Sequence, residues 1–213
     1  QSQSNGRSLL DEDKQIMATS FARFADDLVA PVAEQIHRDD LTVPDSIIDA
    51  LADMGVFALS VPERYGGTAP DTGHDNLAMC VVTEELSRAS LAGAGSPLTR
   101  PEIAARAIVA GGYEPQKSKW LPGIAVGKPL VAISVTEPDC GSDVAAVQLR
   151  ATRMAGGWRL DGAKTWCTFA GKSSLLLVLA RTDPDLSKAH RGLSLFLVEK
   201  DATDEKTFEV NQG

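Results

Sequence analysis

The hydrophobic pattern of the chain changes its period near Gly127, and this change limits the possible folds more than any other feature. Before Gly127 the apolar residues recur at helical spacing, with one predicted helix at residues 23–36 that Pro31 kinks or interrupts. The apolar stripe of this helix is predicted to contain Phe24, Leu28, Val32 and Ile36. After Gly127 the pattern is that of short strands.

The strand-like runs follow one another without helices between them. They are LVAISV at 130–135, VQLRAT at 147–152, WRL at 158–160, SLLLVLA at 174–180 and LSLFLVE at 193–199. Turn residues such as AGG at 155–157 and DG at 161–162 separate them. The sequence therefore predicts an α+β chain, with an all-helical domain at residues 1–127 and a β-barrel-like or sandwich domain at residues 128–213.

Helix boundaries can be located in the first half. Pro44 suits the first turn of a helix, and Gly55 suits the cap after its last turn. The buried face of this helix is predicted to contain Ile47, Ile48, Leu51 and Met54. Residues 56–67, VFALSVPERYGG, are expected to be extended chain that ends in a turn. Further helices are predicted at 75–88, 100–110 and 114–124, the last one shortened by Pro122.

Composition excludes several classes of protein. A net charge of -8, with acids spread along the chain, argues against a nucleic-acid surface. No apolar window is long enough to cross a bilayer. The start QSQSNGRSLLDEDK resembles neither a secretory nor a transit segment, and we expect it to be frayed. Cys80, Cys140 and Cys167 lack C-x-x-C spacing, so we expect no disulfide framework, no zinc site and a cytoplasmic location.

The first candidate motif is VTEPDCGSDV at residues 135–144. Pro138 stops strand pairing, and Gly141 lets the backbone turn, so that nearby N–H groups can bind an anion. Thr136 and Ser142 add hydroxyl groups. A capped turn without a ligand explains the same residues equally well.

The second candidate motif is DGAKTWCTF at residues 161–169. If these residues form a strand, Trp166 and Thr168 lie on one face, and Thr165 and Cys167 lie on the other. An indole beside a hydroxyl suits a flat heteroaromatic ligand. A tryptophan in a strand is more often part of the core, and that alternative stays open.

Together the two motifs resemble the signatures T-E-P-x-x-G-S-D and G-x-K-x-W-x-T of the acyl-CoA dehydrogenase family. The resemblance extends from about residue 15 to residue 200 and includes VPERYGG at 61–67, EELSRA at 84–89, LARTDP at 179–184 and GLSLFLVE at 192–199. It implies an N-terminal helical domain, a β-barrel-like middle domain and a C-terminal helical domain that is absent from this chain.

The resemblance also implies FAD as cofactor. Trp166 would pack against the isoalloxazine ring, Thr168 would lie near N5, and Ser142 would bond a phosphate or pantetheine group of the nucleotide ligands. The cofactor-binding residues implied in this way are Ile133, Val135, Thr136, Gly141, Ser142, Trp166 and Thr168. Asp139 and Cys140 stand where the family usually has small neutral residues. We expect Asp139 to point outward, because an inward carboxylate would weaken phosphate binding.

The family reaction removes the α proton of an acyl-CoA with a glutamate while a hydride passes from the β carbon to the flavin. By resemblance that glutamate follows residue 213, so no catalytic residue is assigned in this chain. Glu84, Glu85 and Glu137 are interpreted as structural or surface groups. The resemblance implies an acyl-CoA substrate, an electron-transfer flavoprotein or similar acceptor, and a tetrameric or dimeric homo-oligomer.

The sequence leaves several alternative functions open. An acyl-CoA oxidase or flavin monooxygenase of the same fold fits the same residues, as does a noncatalytic partner subunit. Residues 54–63 and 75–88 most resemble members that act on branched or carboxylated short acyl-CoAs.

Arg100, in SPLTRP, is a candidate ligand for an acyl carboxylate, so that Arg100 and Ser142 are the predicted substrate-binding residues. An arginine on the surface at a helix start is the simpler interpretation of Arg100. We expect the chain to be a fragment, or to be separated from its remainder, more than to be completed by another polypeptide.

Overall fold

A computed structural model describes residues 10–73 and 75–200 of the chain. Residues 1–9 of the start that was expected to be frayed, and the end of the predicted second domain, residues 201–213, lie outside the described residues. For residues 11–14 the expectation is wrong, because Asp11 caps a helix that begins at Glu12. Contacts divide the chain between Lys128 and Pro129 into two compact units.

The described part of the first unit is helical. Its α-helices are α1 (Glu12–Phe24), α2 (Ala30–Arg38), α3 (Asp45–Asp53), α4 (Asn76–Ser90), α5 (Ser96–Gly111) and α6 (Glu114–Ala125). Two π-helical segments, Ala25–Val29 and Leu91–Gly95, precede α2 and α5. The helical interpretation of the first half is therefore confirmed.

The π-helical segment Ala25–Val29 corrects the apolar stripe predicted for residues 23–36. Leu28 is 51% exposed, whereas Val29 is fully buried. A π-helix has more residues per turn than an α-helix, so the buried position moves one residue along the chain. The interruption precedes Pro31, which lies in the first turn of α2, where a missing N–H is tolerated.

The ends of the other helices differ from the sequence prediction in detail. Gly55 follows α3 with a φ of 73°, which confirms its capping position, but Met54 is 37% exposed and does not belong to the buried face. Residues Val56–Ser60 form a 3₁₀ turn rather than extended chain. Helix α6 continues through Pro122 to Ala125, because its apolar face is buried and tertiary packing outweighs one missing hydrogen bond.

The described part of the second unit, residues 129–200, forms a five-stranded sheet. Its strands are β1 (Val131–Ser134), β2 (Arg150–Met154), β3 (Gly157–Asp161), β4 (Leu175–Arg181) and β5 (Leu193–Glu199). The order is β1-β4-β2-β3, and β5 pairs with β4 in antiparallel orientation along its whole length. β1 pairs with the first half of β4 in parallel orientation, and β2 meets only its end. The predicted order, helices first and strands second, is confirmed.

Strand β4 is the centre of this sheet and carries buried residues on both faces. Leu175 and Leu177 lie on one face, and Val178 and Ala180 lie on the other, where they pack in a cluster with Leu149. A strand that is covered on both faces has apolar residues at successive positions, which explains the sequence LLLVLA. Because β1 pairs with β4, the residues after β1 are anchored at the middle of the sheet.

Candidate functional site

The two polar motifs lie side by side in the second unit. The N–H of Thr165 donates to the carbonyl oxygen of Thr136 at 2.9 Å. Close by, the Ser134 hydroxyl and the Cys167 thiol are 3.3 Å apart. The chain that follows β1 and the chain that precedes β4 therefore form one site.

The first motif folds as a tight turn directly after β1. Glu137 and Cys140 exchange backbone hydrogen bonds of 2.9 and 3.2 Å, and Pro138 and Asp139 are exposed at the tip. Asp139 therefore points outward, as expected. The two residues that follow the turn, Gly141 and Ser142, are also exposed.

The second motif is not a strand, which corrects the prediction of its two faces. β3 ends at Asp161, and Trp166 has a φ of 57°, in the left-handed region that residues other than glycine seldom adopt. The N–H of Thr168 donates to the carbonyl oxygen of Trp166 at 3.0 Å and closes a tight turn. Strand alternation therefore does not set the directions of Trp166 and Thr168.

The turn presents the indole of Trp166 at the surface. This residue is 85% exposed, so the interpretation of Trp166 as a core residue is wrong. Trp158 differs: it is 45% exposed, and its ring packs edge-on against Phe196 with centroids 5.6 Å apart. The exposed indole follows Thr165, which bonds to Thr136, and such a ring fits the face of a flat aromatic ligand such as a flavin.

A buried ion pair joins the two motifs below this surface. The Nζ of Lys164 donates to the Oε1 of Glu137 at 2.9 Å and to the carbonyl oxygen of Val135 at 2.8 Å. The carboxylate of Glu137 also accepts the N–H groups of Gln148 and Leu149, both at 2.8 Å. The side chains of Lys164 and Glu137 are 6% and 8% exposed, so the carboxylate points into the protein and serves as a structural anchor.

The electrostatics of Glu137 follow from these contacts. Burial raises the pKa of this carboxyl group, but the hydrogen bonds from Lys164 and from the backbone of Gln148 and Leu149 outweigh burial, and the pKa ends below the usual value for glutamate. Glu137 is therefore ionised near neutral pH. Sequence reasoning missed the role of Lys164, for which the lysine inside the G-x-K signature was the available signal.

Of the remaining predicted site residues, three belong to the second unit and one, Arg100, belongs to the first. Val135 and Thr136 are half-buried beside the second motif, and Ile133 is half-buried on β1. Arg100 belongs to the first unit, inside α5 rather than at its start, and its guanidinium donates to the carbonyl oxygen of Ser96 at 2.6 Å. Burial lowers the pKa of Arg100 from the usual arginine value.

The other acidic candidates are placed by α4. Glu84 is exposed, as expected for a solvated position, but Glu85 is 4% exposed and lies 3.4 Å from Arg88, so it is a buried structural acid.

Within residues 10–73 and 75–200, no cluster of histidine, cysteine or acidic residues could hold a metal ion. In the same part of the chain, no helix has the length and apolarity required to span a bilayer.

Comparison with known proteins assigns the chain to a family. Residues 11–128 match the model of the acyl-CoA dehydrogenase N-terminal domain, and residues 132–212 match the model of the middle domain. The chain therefore belongs to the acyl-CoA dehydrogenase family, as its motifs predicted.

Individual relatives agree with this assignment. The chain is 45% identical to (2S)-methylsuccinyl-CoA dehydrogenase of Cereibacter sphaeroides over 92% of its own length and 34% of that relative. A glutaryl-CoA dehydrogenase in complex with glutaryl-CoA matches with a TM-score of 0.80 at 32% identity, over 89% of this chain and 47% of that one. A glutaryl-CoA dehydrogenase of Mycobacterium smegmatis in complex with FADH2 matches with a TM-score of 0.79 at 28% identity, over 91% of this chain and 47% of that one.

The chain spans about a third of the length of the methylsuccinyl-CoA relative and about half the length of these solved structures. The two matched family models are those of the N-terminal and middle domains. The 213 residues therefore correspond to the first two domains predicted from the motifs.

Proposed function

We propose that the protein containing this chain is an FAD-dependent acyl-CoA dehydrogenase that acts on a short, branched or carboxylated acyl-CoA. One observation carries the proposal: both signature motifs of the family meet in one site, with Thr165 bonded to Thr136 and the indole of Trp166 exposed beside them. The relatives described above, which act on methylsuccinyl-CoA and glutaryl-CoA by name, support the choice of substrate class.

The residues of the site fit FAD. The indole of Trp166 offers a flat apolar surface, and the hydroxyls of Thr136, Ser142 and Thr168 offer hydrogen bonds to ring heteroatoms and phosphates. Bound FAD would supply the acceptor for a hydride from the substrate. The residues of this chain would hold and orient the ring, and a glutamate outside this chain would remove the α proton.

The proposal is tested with the full-length protein. We expect the purified protein to show flavin absorbance and to bleach under anaerobic conditions when a carboxylated or branched short acyl-CoA is added. A full-length protein that neither contains nor binds FAD would overturn the proposal.

The same experiment separates the two alternatives. Reoxidation of the bleached enzyme by air, as fast as turnover, would assign it to the oxygen-using oxidases or monooxygenases. An enzyme that binds FAD and acyl-CoA but does not bleach would be a noncatalytic subunit. We expect slow reoxidation in air, with electrons passing to an electron-transfer flavoprotein or similar acceptor and with the enzyme assembled as a homo-oligomer.

The proposed substrate class can be tested at Arg100. Its guanidinium is half-buried in α5, where a charged hydrogen bond to an acyl carboxylate would be strong. We expect Arg100→Ala to raise KM for a carboxylated acyl-CoA by roughly tenfold to a hundredfold, and to change KM for an uncharged acyl-CoA of equal length much less. Equal effects on both substrates would remove Arg100 from the proposal.

A further inference from the structure

Arg181 is a buried cation whose guanidinium hydrogen bonds go to the main chain. It lies at the end of β4 and is 6% exposed. Its Nε donates to the carbonyl oxygen of Val147 at 2.9 Å, its Nη2 to that of Ala145 at 2.7 Å, and its Nη1 to that of Ala189 at 3.4 Å. The two shorter bonds of the guanidinium therefore go to carbonyl groups of the short segment 145–149, and the longest goes to Ala189, outside that segment.

The N–H groups of the same segment are held by a buried anion. Glu137, from the first signature, accepts the N–H groups of Gln148 and Leu149. The backbone N–H of Arg181 adds a bond to the carbonyl oxygen of Leu149 at 2.7 Å. One segment is thus held between a cation and an anion, and hydrogen bonds of this charge-assisted kind are stronger than neutral ones.

The close fit around the guanidinium is also visible in the glycine beside it. A Cβ added to Gly192 would lie 2.9 Å from Nη1 of Arg181. A side chain at this position would push Nη1, which donates the longest of the three bonds, away from where it lies now. The backbone of Gly192 therefore lies close to the guanidinium.

A continuous set of bonds leads from Arg181 to the site. Segment 145–149 connects Arg181 to Glu137, Glu137 connects to Lys164, and Lys164 connects to the carbonyl oxygen of Val135. Val135 precedes Thr136, which bonds to the chain just before Trp166.

We propose that Arg181 is a positioning residue for the cofactor site, which acts through segment 145–149 and Glu137 to set the place of residues 135–142 beside Trp166. This inference rests on the proposed function, because the site is taken to bind FAD. Groups that orient binding residues without touching the ligand are worth roughly tenfold to a hundredfold in affinity at metal sites, and a similar scale is expected here.

The test compares three variants of the full-length protein after removal of FAD. Arg181→Gln removes the charge, Arg181→Lys keeps the charge without the planar set of donors, and Arg159→Gln removes a charge from an exposed position on β3 as a control. FAD affinity is measured by titration well below the melting temperature of each variant. Hydrogen exchange of a peptide that contains Gln148 and Leu149 is measured by mass spectrometry in the same samples without FAD.

We expect Arg181→Gln to weaken FAD binding about tenfold or more, Arg181→Lys to weaken it less, and Arg159→Gln to leave it unchanged. The peptide with Gln148 and Leu149 should exchange faster in both Arg181 variants than in the parent.

Folded Arg181 variants with the FAD affinity of the parent would overturn the inference, even if their Tm falls, because the residue would then be structural alone. Failure of both variants to fold would overturn it in the same way. Failure of the parent protein to bind FAD would instead overturn the proposed function.

Discussion

Among single residues, two tryptophans of the second unit differ in how much of each is exposed and in whether another ring of the protein packs against it. Trp166 is 85% exposed on a turn, whereas Trp158 packs against Phe196. A ring that packs against another ring of the protein stabilises the folded state, but a ring without such a contact contributes little until a ligand covers it. We therefore expect Trp158 to contribute to the stability of the fold and Trp166 to contribute to ligand binding.

Trp166→Ala should lower FAD affinity by roughly tenfold or more, in line with the loss of one aromatic stacking contact. The free energy of unfolding without FAD should change by about 0.5 kcal/mol or less. Trp158→Ala is the matched control, and it should lower the free energy of unfolding with no specific loss of FAD affinity. Chemical denaturation and FAD titration measure the two effects. A destabilised Trp166→Ala protein would contradict the surface placement of this side chain.

The buried pair of Glu137 and Lys164 predicts a dependence of stability on pH. The pKa of Glu137 is lower in the folded protein than in the unfolded chain, so its contribution is complete above the unfolded pKa and is lost as pH falls through the folded pKa. Glu137→Gln should cost about 3 kcal/mol at neutral pH, because it leaves Lys164 buried without its counterion.

Denaturant unfolding of the parent and of Glu137→Gln at neutral and acidic pH checks this prediction. The difference between the two proteins should shrink in acid, where Glu137 of the parent is protonated. A constant difference at all pH values would mean that the loss is due to packing and not to charge.

Among the secondary-structure elements, the π-helical segment Ala25–Val29 decides which side chains are buried. Val29→Ala should lower the free energy of unfolding by about 2 kcal/mol, because it removes apolar groups from a fully buried position. Leu28→Ala should change it by about 0.5 kcal/mol or less, because Leu28 is 51% exposed. Thermal or chemical denaturation of both variants gives the answer. The opposite ranking would restore the uninterrupted helix predicted from sequence.

The same elements show how far sequence could predict the fold. The helix boundary at Gly55 and the five strands were predictable, because glycine caps and apolar runs depend on neighbouring residues. The π-helical segment and the 3₁₀ turn Val56–Ser60 were not, because packing against other elements selects them over regular structure. The turn at Trp166 was missed for the same reason, since its residues suit a strand by composition.

Across the described part of the molecule, the hydrogen bonds of the Glu137 carboxylate join it to Gln148, Leu149 and Lys164, all in the second unit. Glu137→Gln should therefore accelerate amide exchange in β1 and β4. Helix α4, whose buried residues belong to the first unit, should keep the exchange rates of the parent. Hydrogen exchange read by mass spectrometry resolves the two regions. Equal acceleration in α4 would mean that the two units open together.

Residue types at short spacing were enough to establish the family, the order of helices before strands and both signature motifs. Tertiary structure was needed to decide that the motifs meet, that Trp166 is exposed, and that Glu137 points inward to Lys164. The physical reason is that these contacts join residues far apart in the chain. Parallel pairing of β1 with β4 brings these residues together. A pattern of neighbouring residues gives no information about which distant strands pair.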